Sequence, residues 1–272
     1  MRFILDNDLY KFTMQNAVLH HFPDALVEYE FINRSPEMKF THDAYVDIMH
    51  AIVNMCDVRI TDDELDFLST RCPYLSDFYL DKLKKFKFDP TDVITFLNRN
   101  NELKIRIVGN WFNTILWEVP LLSIISESYF RNVDNAWNYN GQEKQARQKA
   151  NQLNTMLGMW SDFGTRRRRS YISQDMAIEG FMDQGKGGNI FSNRFFGTSN
   201  VHFAKKYNIT AVGTMAHEWI MGVCGIHGGN PIGINKEALY YWLETYGNKL
   251  GIALTDTYGT DIFLDEFDYE LS

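Results

Sequence analysis

The stretch Ile209-Thr210-Ala211-Val212-Gly213-Thr214-Met215-Ala216-His217-Glu218-Trp219 runs a short apolar strand into a small-residue turn, then into a histidine flanked by an acid. Strands that end in a tight turn with a polar side chain at the tip are where α/β proteins assemble their chemistry. Taken alone, the spacing fits a histidine at a helix start with no special role. The rest of the chain weighs against that bland reading.

Outward from this stretch, strand and helix patterns alternate. A strand is expected near 190–196, a helix over 200–207, the strand 209–212, a helix after Met215, a helix over 236–246 and a strand over 250–254. Leu239, Trp242, Leu243 and Tyr246 share a face of the 236–246 helix, and Gly247 is a natural C-cap. Such alternation implies parallel strands joined by crossover helices, and both an open doubly wound sheet and a (β/α) barrel fit it. Further upstream, an apolar helix is expected over 116–129 and a polar one over 142–157. Before residue 110 the rhythm is mixed. Val27, Tyr29 and Phe31 alternate as in a strand, and 103–108 reads as a second. Tyr45, Ile48, Met49 and Ile52 mark an amphipathic helix, while Thr61 and Glu64 have the spacing of a capping box.

Composition narrows the function classes. The 272 residues suffice for one large or two smaller domains, and 45% are apolar, enough for a sizeable core. A net charge of −8 argues against broad nucleic-acid binding and against an anionic membrane surface. Aromatics reach 15%, which suits pockets that stack planar ligands. Cys56, Cys72 and Cys224 lack a CxxC spacing and read as reduced thiols in a cytoplasmic protein, neither a disulfide frame nor a zinc site. No apolar run approaches the roughly 18 residues that span a bilayer, and an acid at Asp6 comes too early for a signal peptide.

Several constellations could carry chemistry. Asp162-Phe163-Gly164-Thr165 leads into Arg166, Arg167, Arg168 and Arg169, ahead of a possible helix start at Ser170. A solvated basic run is the bland reading. In an acidic chain, guanidinium forks and free N–H groups at such a place also suit a phosphate-rich small molecule. Gly197-Thr198-Ser199-Asn200 is either an ordinary N-cap or a set of donors aimed at a carboxylate or phosphate. Asp256 follows the expected 250–254 strand, so Ser199, His217 and Asp256 would be polar endings on successive strands. Asp6-Asn7-Asp8 has a calcium-loop flavour without the downstream glycine and glutamate, and no metal-ligating residues are assigned. His20-His21 face different ways on a helix. The glycine loops 185–189 and 227–230 lack a Walker spacing, and Arg34 is either a salt-bridge residue or a substrate contact.

Together these blocks, with Asp8-Leu9-Tyr10-Lys11-Phe12-Thr13-Met14, Trp117-Glu118-Val119-Pro120-Leu121 and Ala253-Leu254-Thr255-Asp256, resemble nicotinate phosphoribosyltransferases, in order along the whole chain. The resemblance implies a mixed α/β N-terminal domain over 1–110. An irregular, incomplete (β/α) barrel over 111–272 would carry most of the site. It implies phosphoribosyl transfer from 5-phosphoribosyl 1-pyrophosphate (PRPP) to nicotinate, giving nicotinate mononucleotide and pyrophosphate in NAD salvage. ATP would be a coupled co-substrate, Mg²⁺ would assist, and a homodimer would share its active sites. By the same resemblance His217 is phosphorylated, with Glu218 or another carboxylate orienting its ring and Asp256 near the sugar or the phosphohistidine. Tyr10, supplied by the other subunit, and Phe163 would sandwich the pyridine ring. Arg166 would meet phosphate, with Thr198 and Asn200 beside it, and Ser199 would favour an acid over an amide. The family pattern continues past Ser272, with an Asp-Ser-Gly-Asp block and a phosphate loop, so the likeness covers its N-terminal two-thirds. Two other readings stay open: a ligand-binding fragment or subunit completed by a missing segment, and a nicotinamide-specific transferase.

Overall fold

The computed structural model describes residues 3–183, 194–268 and 271. Its N-terminal half is built on an antiparallel sheet in which β1 (Leu26–Glu30), β2 (Val93–Leu97) and β3 (Leu103–Asn110) lie in the order β1-β3-β2. Tyr29 pairs with Ile107, and Val93 pairs with the same residue from the other side. Leu103, Ile105 and Ile107 of β3 are buried while Lys104, Arg106 and Val108 face out, as the two-residue period of a half-covered strand demands. Of the helices of this half, α1 (Leu9–His21), α2 (His42–Asn54), α3 (Asp62–Arg71) and α4 (Asp77–Lys85), α2 packs against β2 and α3 against α4. The capping box at the start of α3 is present, with Glu64 accepting from the Thr61 N–H at 2.9 Å.

One helix is not amphipathic. Every residue of α1 from Leu9 to Val18 is buried, including Lys11, Gln15 and Asn16. An all-round buried helix belongs at the centre of a domain, and α1 lies where the two halves of the chain meet.

After β3 the chain turns directly into α5 (Trp111–Thr114) and α6 (Glu118–Asn132), then α7 (Gln142–Leu153). Next come β4 (Trp160–Asp162), α8 (Tyr171–Met182), β5 (Phe195–Thr198), α9 (Val201–Tyr207) and β6 (Thr210–Ala211). Strands β4, β5 and β6 form a parallel sheet in that order, with α8 and α9 as its crossovers. This is the βαβ arrangement the sequence rhythm implies, and the open sheet agrees with an irregular, incomplete barrel. The strands touch closely at Gly197, where a Cβ would fall 2.0 Å from the Thr210 carbonyl oxygen. The chain finishes with α10 (His217–Ile226), α11 (Ile234–Tyr246) and α12 (Thr260–Glu266).

Two local expectations are corrected. Residues 250–254 form no strand. Gly247, with φ +56°, caps α11 and starts a 3₁₀ turn over Gly247–Leu250, and irregular chain follows. There the Ile252 carbonyl accepts from Thr214 Oγ1 at 2.6 Å instead of joining a ladder. The polar helix expected to reach residue 157 stops at Leu153, because Asn154 turns its Oδ1 to the indole of Trp160 and the N–H of Arg194, both at 3.0 Å. The glycine loop 185–189 lies outside the described residues.

The core is continuous across residue 110. Phe22, Trp111, Trp219, Trp242 and Tyr246 form a chain of ring contacts, with centroids 4.7–6.1 Å apart, linking the end of α1 to α5, α10 and α11. Among the described residues no helix is long and apolar enough to cross a membrane.

Candidate active site

The site grows from the turn between β5 and α9. Thr198, Ser199 and Asn200 are fully buried, and each donates to a different aspartate. Thr198 Oγ1 reaches Asp162 at 2.8 Å, Ser199 Oγ reaches Asp8 at 2.7 Å, and Asn200 Nδ2 reaches Asp6 at 2.8 Å. Asn200 Oδ1 meanwhile caps α9 by accepting from the Phe203 N–H. Backbone bonds repeat the pattern: Leu9 N–H to the Ser199 carbonyl at 2.7 Å and Ser199 N–H to the Asp162 carbonyl at 2.8 Å. The turn therefore clamps the N-terminal segment and the Asp162 turn into one body.

Each aspartate has its own electrostatics. For Asp6, burial works to raise the pKa, but the bidentate Arg168 guanidinium (2.7 Å to each oxygen) outweighs it and holds the carboxyl below its usual 3.8. Asp8 and Asp162 have only neutral donors, so burial wins and pushes both upward. Asp8 also accepts from the Tyr10 phenol at 3.0 Å, and burial lifts that phenol well above its ordinary value.

The arginine run divides its labour. Arg168 is buried between Asp6 and Glu127 and is structural. Arg169 lies over the rings of Phe130 and Trp137, 4.8 and 5.6 Å from their centroids. Arg166 and Arg167 both face solvent, and Arg166 is the one tied into the site: its side chain is 45% exposed, and one nitrogen holds Glu118 at 3.0 Å. Three residues before it, the Phe163 ring is 56% exposed on a turn otherwise anchored by Asp162 and the buried Thr165. An aromatic face left in water on an anchored turn is a stacking platform.

Behind Arg166 lies an ion network that sequence reasoning did not single out. Lys11, with no solvent exposure, is salt-bridged to both Glu118 and Glu218. Burial alone would lower its pKa, and the two carboxylates more than reverse that. Glu218 also accepts from the Tyr29 phenol and, at 2.9 Å, from the indole of Trp111. The sequence signal was a lone cation inside an apolar helix, Leu9-Tyr10-Lys11-Phe12, which cannot stay buried without a paired acid. On its other side the network borders a cavity of about 720 Å³, lined by Tyr29, Trp111, Glu118, Glu218 and Met221 among others. None of Tyr10, Phe163, Arg166, Ser199 or His217 lines it.

His217 opens α10 and is exposed. Its Nδ1 is 3.0 Å from Thr257 Oγ1 and its Nε2 is 3.7 Å from Asp256. The carboxylate facing His217 is thus Asp256, carried by a loop and not by a strand end, while the side chain of the adjacent Glu218 points away into the Lys11 network. Tyr10 reaches Asp8 and the field of Arg166 within a single chain, because the Asp8–Asn200 bridge draws the start of α1 onto the β5–α9 turn. Within one chain Tyr10 and Phe163 make no ring contact, as a pair shared between two subunits requires. Thr198, Ser199 and Asn200 spend their donors on protein, and Arg34 lines a separate cavity of about 500 Å³ near Phe31 and Ile105.

Magnesium finds no cage in these residues. Among the described residues no three His, Cys, Asp or Glu side chains converge, and Asp8, Glu118 and Glu218 are already engaged by protein donors.

Family models agree with this architecture. Residues 5–126 match the nicotinate phosphoribosyltransferase (NAPRTase) N-terminal domain, and residues 159–272 match the nicotinate phosphoribosyltransferase (NAPRTase) family. The chain is 38% identical over 289 residues to a nicotinate phosphoribosyltransferase of Methanosarcina mazei, covering 99% of this chain and 68% of that protein. It is 41% identical over 276 residues to that of Saccharomyces cerevisiae, covering 97% and 64%. The crystal structure of nicotinate phosphoribosyltransferase from Porphyromonas gingivalis superposes with a TM-score of 0.91 at 36% identity, over all of this chain and 67% of that one. The chain thus spans about two thirds of the length of these relatives. On two matching models and relatives of this similarity, the chain belongs to the nicotinate phosphoribosyltransferase family.

Proposed function

We propose that this chain binds nicotinate and PRPP and transfers the phosphoribosyl group between them, giving nicotinate mononucleotide and pyrophosphate. The observation that carries the reading is the pairing of an exposed Phe163 ring with a half-exposed Arg166 on one pinned turn. The ring offers a stacking face for a flat pyridine. The guanidinium offers its free N–H groups to phosphate. In the reaction the pyridine nitrogen bonds to ribose C1 as the C1–oxygen bond to pyrophosphate breaks and its electron pair leaves with the pyrophosphate. Cations near the leaving group favour that separation of charge.

ATP enters the same proposal through His217. With the Nδ1–H donating to Thr257, Nε2 carries the lone pair that attacks the γ-phosphorus, and the bond to the ADP oxygen breaks. Asp256, 3.7 Å from Nε2, would lie beside the phosphorylated ring. Magnesium would arrive with the polyphosphate, bound chiefly by its oxygens. Ser199 would bear on the choice of acid over amide only through Asp8, since its buried hydroxyl is spent on that carboxylate. A homodimer completes the proposal, and sedimentation of the purified chain tests it.

The functional test is pyrophosphate release from PRPP, with and without nicotinate and ATP, in the wild type, Phe163→Ala and Arg166→Ala. Nicotinate-dependent release that ATP stimulates and both variants cripple supports the reading. Nicotinate binding without turnover moves the chain to a ligand-binding role completed by another segment. Absence of binding removes the reading altogether.

A further inference from the structure

Glu118 is the hinge of the ion network. Its Oε1 holds Arg166 and its Oε2 holds Lys11, so one carboxylate is divided between an exposed cation and a buried one. Lys11 in turn is shared with Glu218. The four charges sum to zero, with two cations and two carboxylates, and the pairs are linked in the order Arg166, Glu118, Lys11, Glu218. Tyr29 and Trp111 fix the far end by donating to Glu218, which directly follows His217.

We propose that Lys11 is a positioning residue that keeps Arg166 available to an anionic ligand by drawing off part of the Glu118 charge. The inference rests on the functional reading above only for the identity of that ligand, a phosphate or pyrophosphate group. Without Lys11, Glu118 faces Arg166 alone in a half-buried setting, where an undivided ion pair competes directly with an incoming phosphate. With Lys11, the same carboxylate orients the guanidinium without neutralising it. Because Lys11 is shielded from solvent, its charge is poorly screened by salt and acts at full strength on Glu118.

A ligand-independent readout tests this. Phenylglyoxal modifies exposed arginines, and peptide mapping by mass spectrometry gives the rate at Arg166 alone. Lys11→Met should slow modification of Arg166 about twofold to fivefold, the factor expected for about 0.5–1 kcal/mol of added strength in a part-exposed ion pair. Glu118→Gln in the same background should return the rate to wild type or above. Since Lys11→Met leaves an excess buried carboxylate and is liable to misfold, Lys11→Met/Glu218→Gln provides a balanced variant. It keeps an acceptor for Tyr29 and Trp111 and should show the same slow Arg166. Equal Arg166 rates in the wild type and the balanced variant overturn the proposal. Inorganic pyrophosphate added to the wild type separates the two readings: protection of Arg166 supports the functional site, and its absence counts against that site without touching the Lys11 result.

Discussion

Ser199 donates its hydroxyl to Asp8 at 2.7 Å, with both side chains shut off from solvent, and this bond joins the parallel sheet to the helix that runs through the middle of the molecule. Asp8 has no cation bonded to it, and burial outweighs the charge of the more distant Arg166 and raises its pKa above the ordinary 3.8. The sign of the resulting pH dependence follows. A raised carboxyl contributes stability that is fully present below the unfolded value and lost as pH rises through the folded one. Asp8→Asn does not titrate. Urea unfolding from about pH 3 upward should show the wild type losing stability relative to Asp8→Asn as pH rises past 3.8, until Asp8 has ionised in the folded state. A constant difference throughout would mean that Asp8 is not destabilised by burial.

Arg168 and Asp6 form the opposite case. Replacing Arg168 with Met strands a buried carboxylate and should cost about 3–5 kcal/mol, whereas Asp6→Asn/Arg168→Met should recover much of it. In the wild type the lowered Asp6 contributes stability above pH 3.8 that is lost as pH falls through its folded value. Acid unfolding curves of the wild type and the double variant should converge at the acid end.

Close approach makes two glycines unreplaceable. Gly197→Ala would push a Cβ into the Thr210 carbonyl and part β5 from β6. Gly222→Ala would drive a methyl into the Trp111 ring, only 2.2 Å from the Cβ position, and so disturb the indole that holds Glu218. Each should cost about 1–3 kcal/mol or more, read from denaturant midpoints. Gly222→Ala should also change tryptophan fluorescence, while Gly225→Ala, inside α10 with nothing within 4 Å, should leave the fluorescence unchanged and cause no loss of stability.

Thr257 offers a test of how His217 is held. On the proposed reading, Thr257→Ala removes the partner of Nδ1 and should reduce ATP stimulation about tenfold, the scale of one hydrogen bond of about 1.4 kcal/mol. The ATP-independent rate should be unaffected. Thr257→Ser should restore the stimulation.

Much of this architecture was legible in the residues because periodicity and capping are local. The alternation in β3, the Thr61–Glu64 box, the Gly247 cap and the βαβ order around Ile209–Val212 all follow from short-range rules. What failed was tertiary. The apolar run at 250–254 satisfies a strand pattern but finds no neighbouring strand, since Ile252 bonds to Thr214 instead. Glu218 sits next to His217 in sequence, yet consecutive helical positions face different ways, and its side chain serves Lys11. The lone lysine of α1 was passed over as a signal, and its partners lie more than a hundred residues away. Thr198, Ser199 and Asn200 read equally well as an ordinary N-cap, which Asn200 does form, or as donors for a ligand. Only the fold shows Asp162, Asp8 and Asp6 already accepting from them.

The central claim, that His217 carries a phosphoryl group during turnover, is tested most directly by incubating the chain with ATP labelled at the γ-phosphate. The account predicts acid-labile, base-stable label that maps to His217 and disappears in His217→Ala. Label on another residue, or an unlabelled wild type that still turns over nicotinate with ATP stimulation, would contradict it.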